Sequence, residues 1–207
     1  MITISGGGGG EGVGLGFPAK IGRGGGTSGG WGGTYGGKGG MAATKATYGN
    51  ETAPTSLGSG GYSYPSGSAI KLQTEMGTIL LNGKINTYGV LNTAGGGSIW
   101  LKANNISGNG ILNTSGANSN SEGGGGGGRI ALTSSGTISF SGVIDNKGGN
   151  SGSATQSRKA SGGTVFINAT TSISLSGNIS VAGFNGSSSG SDWGQRINIS
   201  APLITLT

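Results

Sequence analysis

Five short segments share one pattern and decide the fold: AIKL (69–72), SIWL (98–101), RIAL (129–132), TVFI (164–167) and RINI (196–199). Their second residues follow one another after 29, 31, 35 and 32 residues. Within each segment an apolar residue recurs at every second position, which is the period of a β-strand that buries one face. A strand that returns about every 30 residues is typical of a solenoid in which equivalent strands stack.

Two further elements follow the first strand of each repeat. One is an apolar pair: Ile79 and Leu81, Ile138 and Phe140, Ile173 and Leu175, Ile204 and Leu206, shortened to Ile106 in the second repeat. The other reads NGKINTYG (82–89), NGILNTSG (109–116), SGVIDNKG (141–148) and SGNISVAG (176–183). Three strands per repeat with glycine at the corners predict an all-β fold, a parallel β-helix of about five coils over residues 68–207.

Alternation along the third strand predicts what each residue faces. Ile85, Leu112, Ile144 and Ile179 should form one stacked inner column, with Asn86, Asn113, Asp145 and Ser180 as an outward polar ladder. Such a ladder serves either for hydrogen bonds between coils or as a stripe that binds a ligand, and the sequence leaves both open.

Glycine-rich excursions close the coils at 94–97, 115–128, 147–163 and 183–195. Because each follows the third strand, they should all leave the solenoid at the same corner. Stacked there, tracts such as 123–128 could pack as polyproline-II-type segments that exchange backbone hydrogen bonds. The alternative is that they are flexible linkers.

Residues 1–67 differ from the repeats. ITIS (2–5) reads as the third strand of an incomplete coil, and a glycine-rich insertion with most of the tyrosines follows it. Aromatic side chains on a loop can stack on sugar rings or anchor a partner chain, which makes Trp31, Tyr35, Tyr62 and Tyr64 candidate ligand-binding residues. The same insertion could instead cover the end of the solenoid.

Composition excludes most catalytic chemistry. The 207 residues include 52 glycines and no histidine or cysteine, which removes the commonest general base, the thiol nucleophile and most metal sites. The six acidic residues fall at non-equivalent positions of different repeats, unlike the clustered acids of β-helix enzymes that cleave polysaccharides. We therefore expect no enzyme, no cofactor and no metal.

Charge and hydropathy limit the classes of partner that we expect. Twelve basic residues give a formal charge of +6 but form no cluster, which disfavours nucleic acid as a partner and is compatible with acidic glycans. No stretch is long and apolar enough for membrane insertion. The first ten residues lack the basic start and apolar run of a secretory signal, which is compatible with another export route, an excised segment or assembly into a virion.

A family resemblance adds to this interpretation. The succession TAPTSLGSGG (52–61), SAIKL (68–72), GGGSIWL (95–101), NGILNTSG (109–116) and GGGGGGRIAL (123–132) resembles the glycine-rich repeat domains of very large bacterial and archaeal surface proteins. That resemblance implies an extracellular structural or adhesive role and brings no catalytic residues. A looser resemblance, in composition and tract length, is to glycine-rich phage tail-tip adhesins, which implies location in a virion tail.

Together these features predict a structural subunit that assembles end to end outside the cell or at its surface. Ile2 and Ile4 at one end, and Leu203, Ile204 and Leu206 at the other, are the expected self-assembly residues because both ends are bare alternating strands. The alternative is an adhesin that binds a cell-surface glycan or receptor. Ice binding fits less well, because no Thr-x-Thr column repeats among the outward residues.

Overall fold

The structure is a computed structural model that describes residues 2–4, 18–19, 21, 23–26, 31–42, 45–62, 64–151, 160–183 and 195–207, with only the backbone for 2–4. Over these ranges the chain is all-β and contains no helix, hence none long and apolar enough to cross a membrane. The strands are β1 (Ile2–Ile4), β2 (Ala69–Gln73), β3 (Thr78–Leu81), β4 (Lys84–Asn86), β5 (Ser98–Ala103), β6 (Asn105–Gly108), β7 (Ile111–Asn113), β8 (Arg129–Ser134), β9 (Thr137–Phe140), β10 (Val143–Asp145), β11 (Thr164–Ala169), β12 (Ser172–Leu175), β13 (Ile179–Ser180), β14 (Arg196–Ser200) and β15 (Leu203–Leu206).

Parallel pairing places these strands in three stacked sheets, which confirms the predicted β-helix. The first-strand sheet has the order β14-β11-β8-β5-β2, the second-strand sheet β1-β3-β6-β9-β12-β15, and the third-strand sheet β13-β10-β7-β4. Four coils are complete in the described residues and a fifth has only its first two strands, against the predicted count of about five.

The core is the interior of this solenoid and follows the predicted columns. Ile85, Leu112, Ile144 and Ile179 pair in register, and so do the polar residues Asn86, Asn113, Asp145 and Ser180 beside them. Most inner residues of the three middle coils are almost fully buried, because each is covered by the coil above and the coil below. Ile179 is only partly buried, because β13 is the edge strand of its sheet in the described residues.

The second-strand sheet explains why one strand was short in the sequence. Gly108 stands where Phe140 stands in the next coil, and its φ of 129° is one that residues with a side chain rarely adopt. A Cβ atom there would lie 2.0 Å from the carbonyl oxygen of Leu81. The second repeat therefore keeps only Ile106 of its apolar pair.

One prediction about the topology is wrong. ITIS was expected in the third-strand sheet, but β1 pairs with β3, with Ile2 beside Ile79 and Ile4 beside Leu81 in register. The alternating pattern of three residues fits either sheet equally well, so pairing rather than pattern decides the placement. Both ends of the chain consequently contribute a strand to the same sheet.

The described parts of the glycine excursions form an ordered bundle, which we call the glycine bundle: residues 32–40, 94–97, 114–117, 123–128, 146–149 and 160–163. Residues 152–159 and 184–194 of the last two predicted excursions lie outside the described residues. At its centre, the N–H groups of three successive residues donate to three different segments: Gly125 to Ala117, Gly126 to Gly33 and Gly127 to Ser161, at 2.9–3.0 Å. A β-strand donates in two opposite directions, whereas a polyproline-II segment turns once every three residues. This pattern supports the polyproline-II-type packing over flexible linkers.

Close approach is what requires glycine in this bundle. A Cβ atom added to Gly126 would lie 2.0 Å from the carbonyl oxygen of Gly37, and one added to Gly32 would lie 1.9 Å from that of Gly124. Among the described glycines only Gly49 and Gly108 have positive φ. Backbone contact, not an unusual dihedral angle, therefore excludes side chains from the bundle.

The inner column can be tested with two neighbouring residues of β10. We expect Ile144→Ala to lower the free energy of unfolding by about 2–5 kcal/mol, because it opens a cavity in a fully buried position. Val143→Ala, on the outward face of the same strand, should cost about 0.5 kcal/mol or little more. Urea unfolding of both variants measures this difference, and equal losses would contradict the assigned register.

The glycine bundle can be tested in the same way. We expect Gly126→Ala to cost about 2 kcal/mol or more, because the neighbouring carbonyl must move and its hydrogen bonds are broken. Gly95→Ala is the matched control, since its Cβ atom would approach no atom closer than 3.0 Å. If both variants unfold at the same urea concentration, close packing is not what selects glycine here.

Candidate functional site

The insertion is fastened to the solenoid by Arg129, at the start of β8. Its side chain is buried, and its Nε donates to the carbonyl oxygen of Tyr48 at 2.9 Å while Nη1 donates to Thr164 Oγ1 at 2.8 Å. The Glu51 carboxylate lies 3.2 Å from Arg129 Nη1 and also contacts Arg196 of β14. One buried guanidinium therefore joins two coils to Tyr48 and Glu51 of the insertion, and Glu51 reaches a third coil through Arg196.

Tyr35, a predicted ligand-binding residue, belongs to this fastening. It is fully buried, its hydroxyl lies 2.6 Å from Ser98 Oγ, and its ring centroid is 4.9 Å from that of Tyr48 and 5.5 Å from the Arg129 guanidinium carbon. The ring has no exposed face on which a ligand could stack. Its role is to pack the insertion against β5 and β8, which corrects the sequence-based expectation for this residue.

Burial also changes the acidity of the two tyrosines. Desolvation raises the pKa of Tyr35, and it raises the pKa of Tyr48 to about 12, because the charged phenolate would lose its hydration. The Tyr48 hydroxyl donates to the Leu57 carbonyl oxygen (3.0 Å), and Ser59 Oγ lies 2.7 Å from the Tyr48 hydroxyl oxygen. Both tyrosines therefore stay protonated at physiological pH, and the cluster has a structural role.

The other three predicted aromatic residues lie nearer the surface. Trp31, Tyr62 and Tyr64 are each partly exposed. The Tyr62 N–H donates to the Trp31 carbonyl oxygen at 3.0 Å, and the Gly61 N–H donates to the Tyr64 carbonyl oxygen at 3.0 Å. Their backbones are therefore brought together at one turn of the insertion, where the rings remain candidates for contact with a partner.

The C-terminal coil is the open end of the solenoid. Ile197, Ile204 and Leu206 are 42%, 41% and 62% exposed, although their partners in the preceding coil are buried inner residues. Leu203, 62% exposed, faces outward from the same strand. Of the predicted self-assembly residues, the three at this end thus lie on an uncovered edge, whereas Ile2 and Ile4 lie at the far edge of the second-strand sheet.

Sequence reasoning missed one surface, which we call the outer face: the outward residues of the first-strand sheet. Its central row, in register, is Lys71, Trp100, Ala131, Phe166 and Asn198, and the next row is Gln73, Lys102, Thr133, Asn168 and Ser200. The central row consists of the third residues of AIKL, SIWL, RIAL, TVFI and RINI. These residues differ in chemistry from coil to coil, so the sequence showed no repeated pattern at this position.

The described residues include no group of three acidic side chains that could hold a metal ion. The polar ladder beside the inner third-strand column does not form such a group. It contains one acidic residue, Asp145, which pairs with Lys147 at 3.2 Å.

The tyrosine cluster generates a test by pH. Because the folded pKa of Tyr48 is about 12 against an ordinary 10, its contribution to stability is fully present below pH 10 and is lost as the pH rises towards 12. In that window the free energy of unfolding should fall by up to about 1.4 kcal/mol per pH unit more steeply than in Tyr48→Phe. Denaturant unfolding between pH 9 and about 11.5 measures both slopes. The hydrogen bonds that Tyr48→Phe loses lower its free energy of unfolding by the same amount at every pH and do not change the slope. Equal slopes in the two proteins would therefore contradict the raised pKa of Tyr48.

Comparisons of this chain with models of protein families, with curated proteins and with solved structures gave no match. What supports a function is therefore the geometry of the chain's own residues.

Proposed function

We propose that the chain is a non-catalytic structural subunit of a β-solenoid rod at an extracellular surface, in which the C-terminal coil of one copy stacks on the next copy. The observation that carries the proposal is the open end, where the inner residues Ile197, Ile204 and Leu206 are exposed on β14 and β15. In the part of the chain that the structure describes, each of these strands pairs on one side only. Uncovered apolar residues next to free backbone groups favour the addition of another strand layer.

The added layer comes from a second copy of the chain. Between copies, β15 of one would pair with β1 of the next, because both lie at the edges of the second-strand sheet. The first-strand and third-strand sheets do not reach as far at the β1 end, so they would not be continuous across that joint. Because β1 lies in the second-strand sheet and not in the third, contact between copies would run through that one sheet.

Rigidity supports a structural role for such a rod. The glycine bundle adds a second hydrogen-bonded layer along one corner of the solenoid, and Arg129 joins the insertion to several coils. The resemblance to repeat domains of large surface proteins supports the extracellular location, which fractionation of the producing cells would test.

We expect the purified chain to self-associate through its open end. Ile204→Glu should suppress this, because the inner position would carry a charge that a stacked coil must bury. Thr205→Glu is the matched control, since it adds the same charge one residue further on, at an outward position. Light scattering and electron microscopy over a concentration series measure the association. A wild-type chain that stays monomeric at high concentration would contradict the proposal.

A second candidate is an adhesin that contacts a receptor or glycan through the insertion. The observation in its favour is the turn that brings Trp31 and Tyr62 together with partly exposed side chains. Trp31→Ala with Tyr62→Ala should then abolish binding to cells or to a glycan array without shifting the unfolding midpoint. Unchanged binding would remove the insertion from consideration.

A further inference from the structure

A shallow groove runs beside the outer face, at the corner where each first strand ends. Its volume is about 280 Å³, and its walls come from four successive coils, so it extends along the solenoid axis. The lining residues are Thr74, Glu75, Lys102, Ala103, Thr133, Ser134, Ser135, Asn168 and Thr170.

Most of the residues that line the groove carry a hydroxyl or amide group, although carbon atoms form most of its exposed surface. Some of these polar groups are unused by the fold. Ser134 Oγ is committed, because it donates to Asn104 and Thr137 carbonyl oxygens. Thr133 Oγ1, in contrast, is buried without a hydrogen-bond partner among the described residues. Lys102 and Glu75 approach each other only to 3.8 Å and are both exposed, so their charges stay available to a ligand.

Two aromatic residues stand in the row next to this groove. Trp100 and Phe166 occupy the same register position two coils apart, which sets their backbones about 10 Å apart at the usual strand spacing. Both are partly exposed, whereas Ala131 between them is fully buried. Lys102 and Asn168 follow two residues later on the same strands and the same face, so the aromatic row and the groove wall are adjacent.

We propose that this face binds a linear glycan that lies along the solenoid axis. A sugar ring has an apolar C–H face and a rim of hydroxyl groups, which match an aromatic row beside a row of hydroxyl, amide and charged groups. In a flat β-1,4-linked chain every second sugar presents the same face, and Trp100 and Phe166 recur with every second coil. Trp100 and Phe166 would therefore contact two sugars that are separated by one disaccharide repeat.

Other classes of ligand fit this face less well. An extended peptide that adds a strand needs a free sheet edge, and β5, β8 and β11 are each paired on both sides. A nucleic acid needs a run of cations, and the two central rows contain only Lys71 and Lys102, with Lys102 facing Glu75.

Lys71 is the residue that a bound sugar would displace. Its ammonium nitrogen lies 4.3 Å from the centroid of the Trp100 ring, in a cation–π contact, and its side chain is exposed. An exposed contact of this kind is weak, so a sugar that stacks over a larger part of the ring can replace it. The released ammonium group is then free to contact the sugar hydroxyls.

The site can be observed directly through Trp100, one of three tryptophans in the chain. In a Trp31→Phe, Trp193→Phe variant, Trp100 is the sole tryptophan, and its fluorescence should shift on titration with the linear hexasaccharide that gives the strongest signal on an array containing cellohexaose, chitohexaose and xylohexaose. We expect Trp100→Ala with Phe166→Ala to weaken that binding at least about tenfold, the range of a buried aromatic contact at an interface.

Two controls make the test decisive. Ile111→Ala with Val143→Ala removes a pair of exposed apolar side chains from neighbouring coils of the third-strand sheet and should leave binding unchanged. Asn168→Ala should weaken binding without altering the unfolding midpoint, which separates loss of the site from loss of the fold. The inference is overturned if no linear glycan binds, if the Trp100 signal does not respond, or if binding depends on Trp31 and Tyr62 instead.

Discussion

The first three coils are each closed by one backbone hydrogen bond at the corner between the third strand and the next first strand. The N–H groups of Gly97, Gly128 and Gly163 donate to the carbonyl oxygens of Thr87, Thr114 and Asn146, at 2.7, 2.9 and 2.9 Å. The residue after each glycine begins the next first strand. This bond therefore fixes where the second, third and fourth coils start, and with it the register of their strands and the stacking of the inner column.

The same closure separates the solenoid from the loops that leave it. Because the hydrogen bond joins the two ends of an excursion, the residues between can number nine, as after Thr87, or sixteen, as after Asn146, without a change of register. The excursions are then free to pack on one another, and they do so by backbone contacts that any side chain would block. Residues 32–40 of the insertion belong to the same bundle. Their backbone hydrogen bonds attach this long segment to the solenoid although it contains few large apolar residues.

The sequence predicted those parts of the fold in which one period governs many coils. Ile85, Leu112, Ile144 and Ile179 could be aligned because four equivalent residues repeat one pattern. The corner at which the glycine tracts leave could be located because each tract follows the third strand, but whether the tracts pack or stay flexible could not be decided from their composition. The placement of ITIS could not be predicted, since three alternating residues carry no register of their own. Tyr35 was misjudged for a related reason: whether an aromatic side chain of an insertion is buried depends on distant partners, here Ser98 and Arg129, which no local pattern identifies.

The outward positions of a solenoid can vary in chemistry, as the outer face shows. Inner positions must be apolar and of similar size in every coil, because each contacts its equivalents above and below. Outward positions have no such constraint, so Lys71, Trp100, Ala131, Phe166 and Asn198 can differ while the backbone holds them at equal spacing. A rod of this kind therefore supplies regular positions through its stacking and selectivity through its outward side chains, and a structural role and a binding role can occupy the same coils without competing.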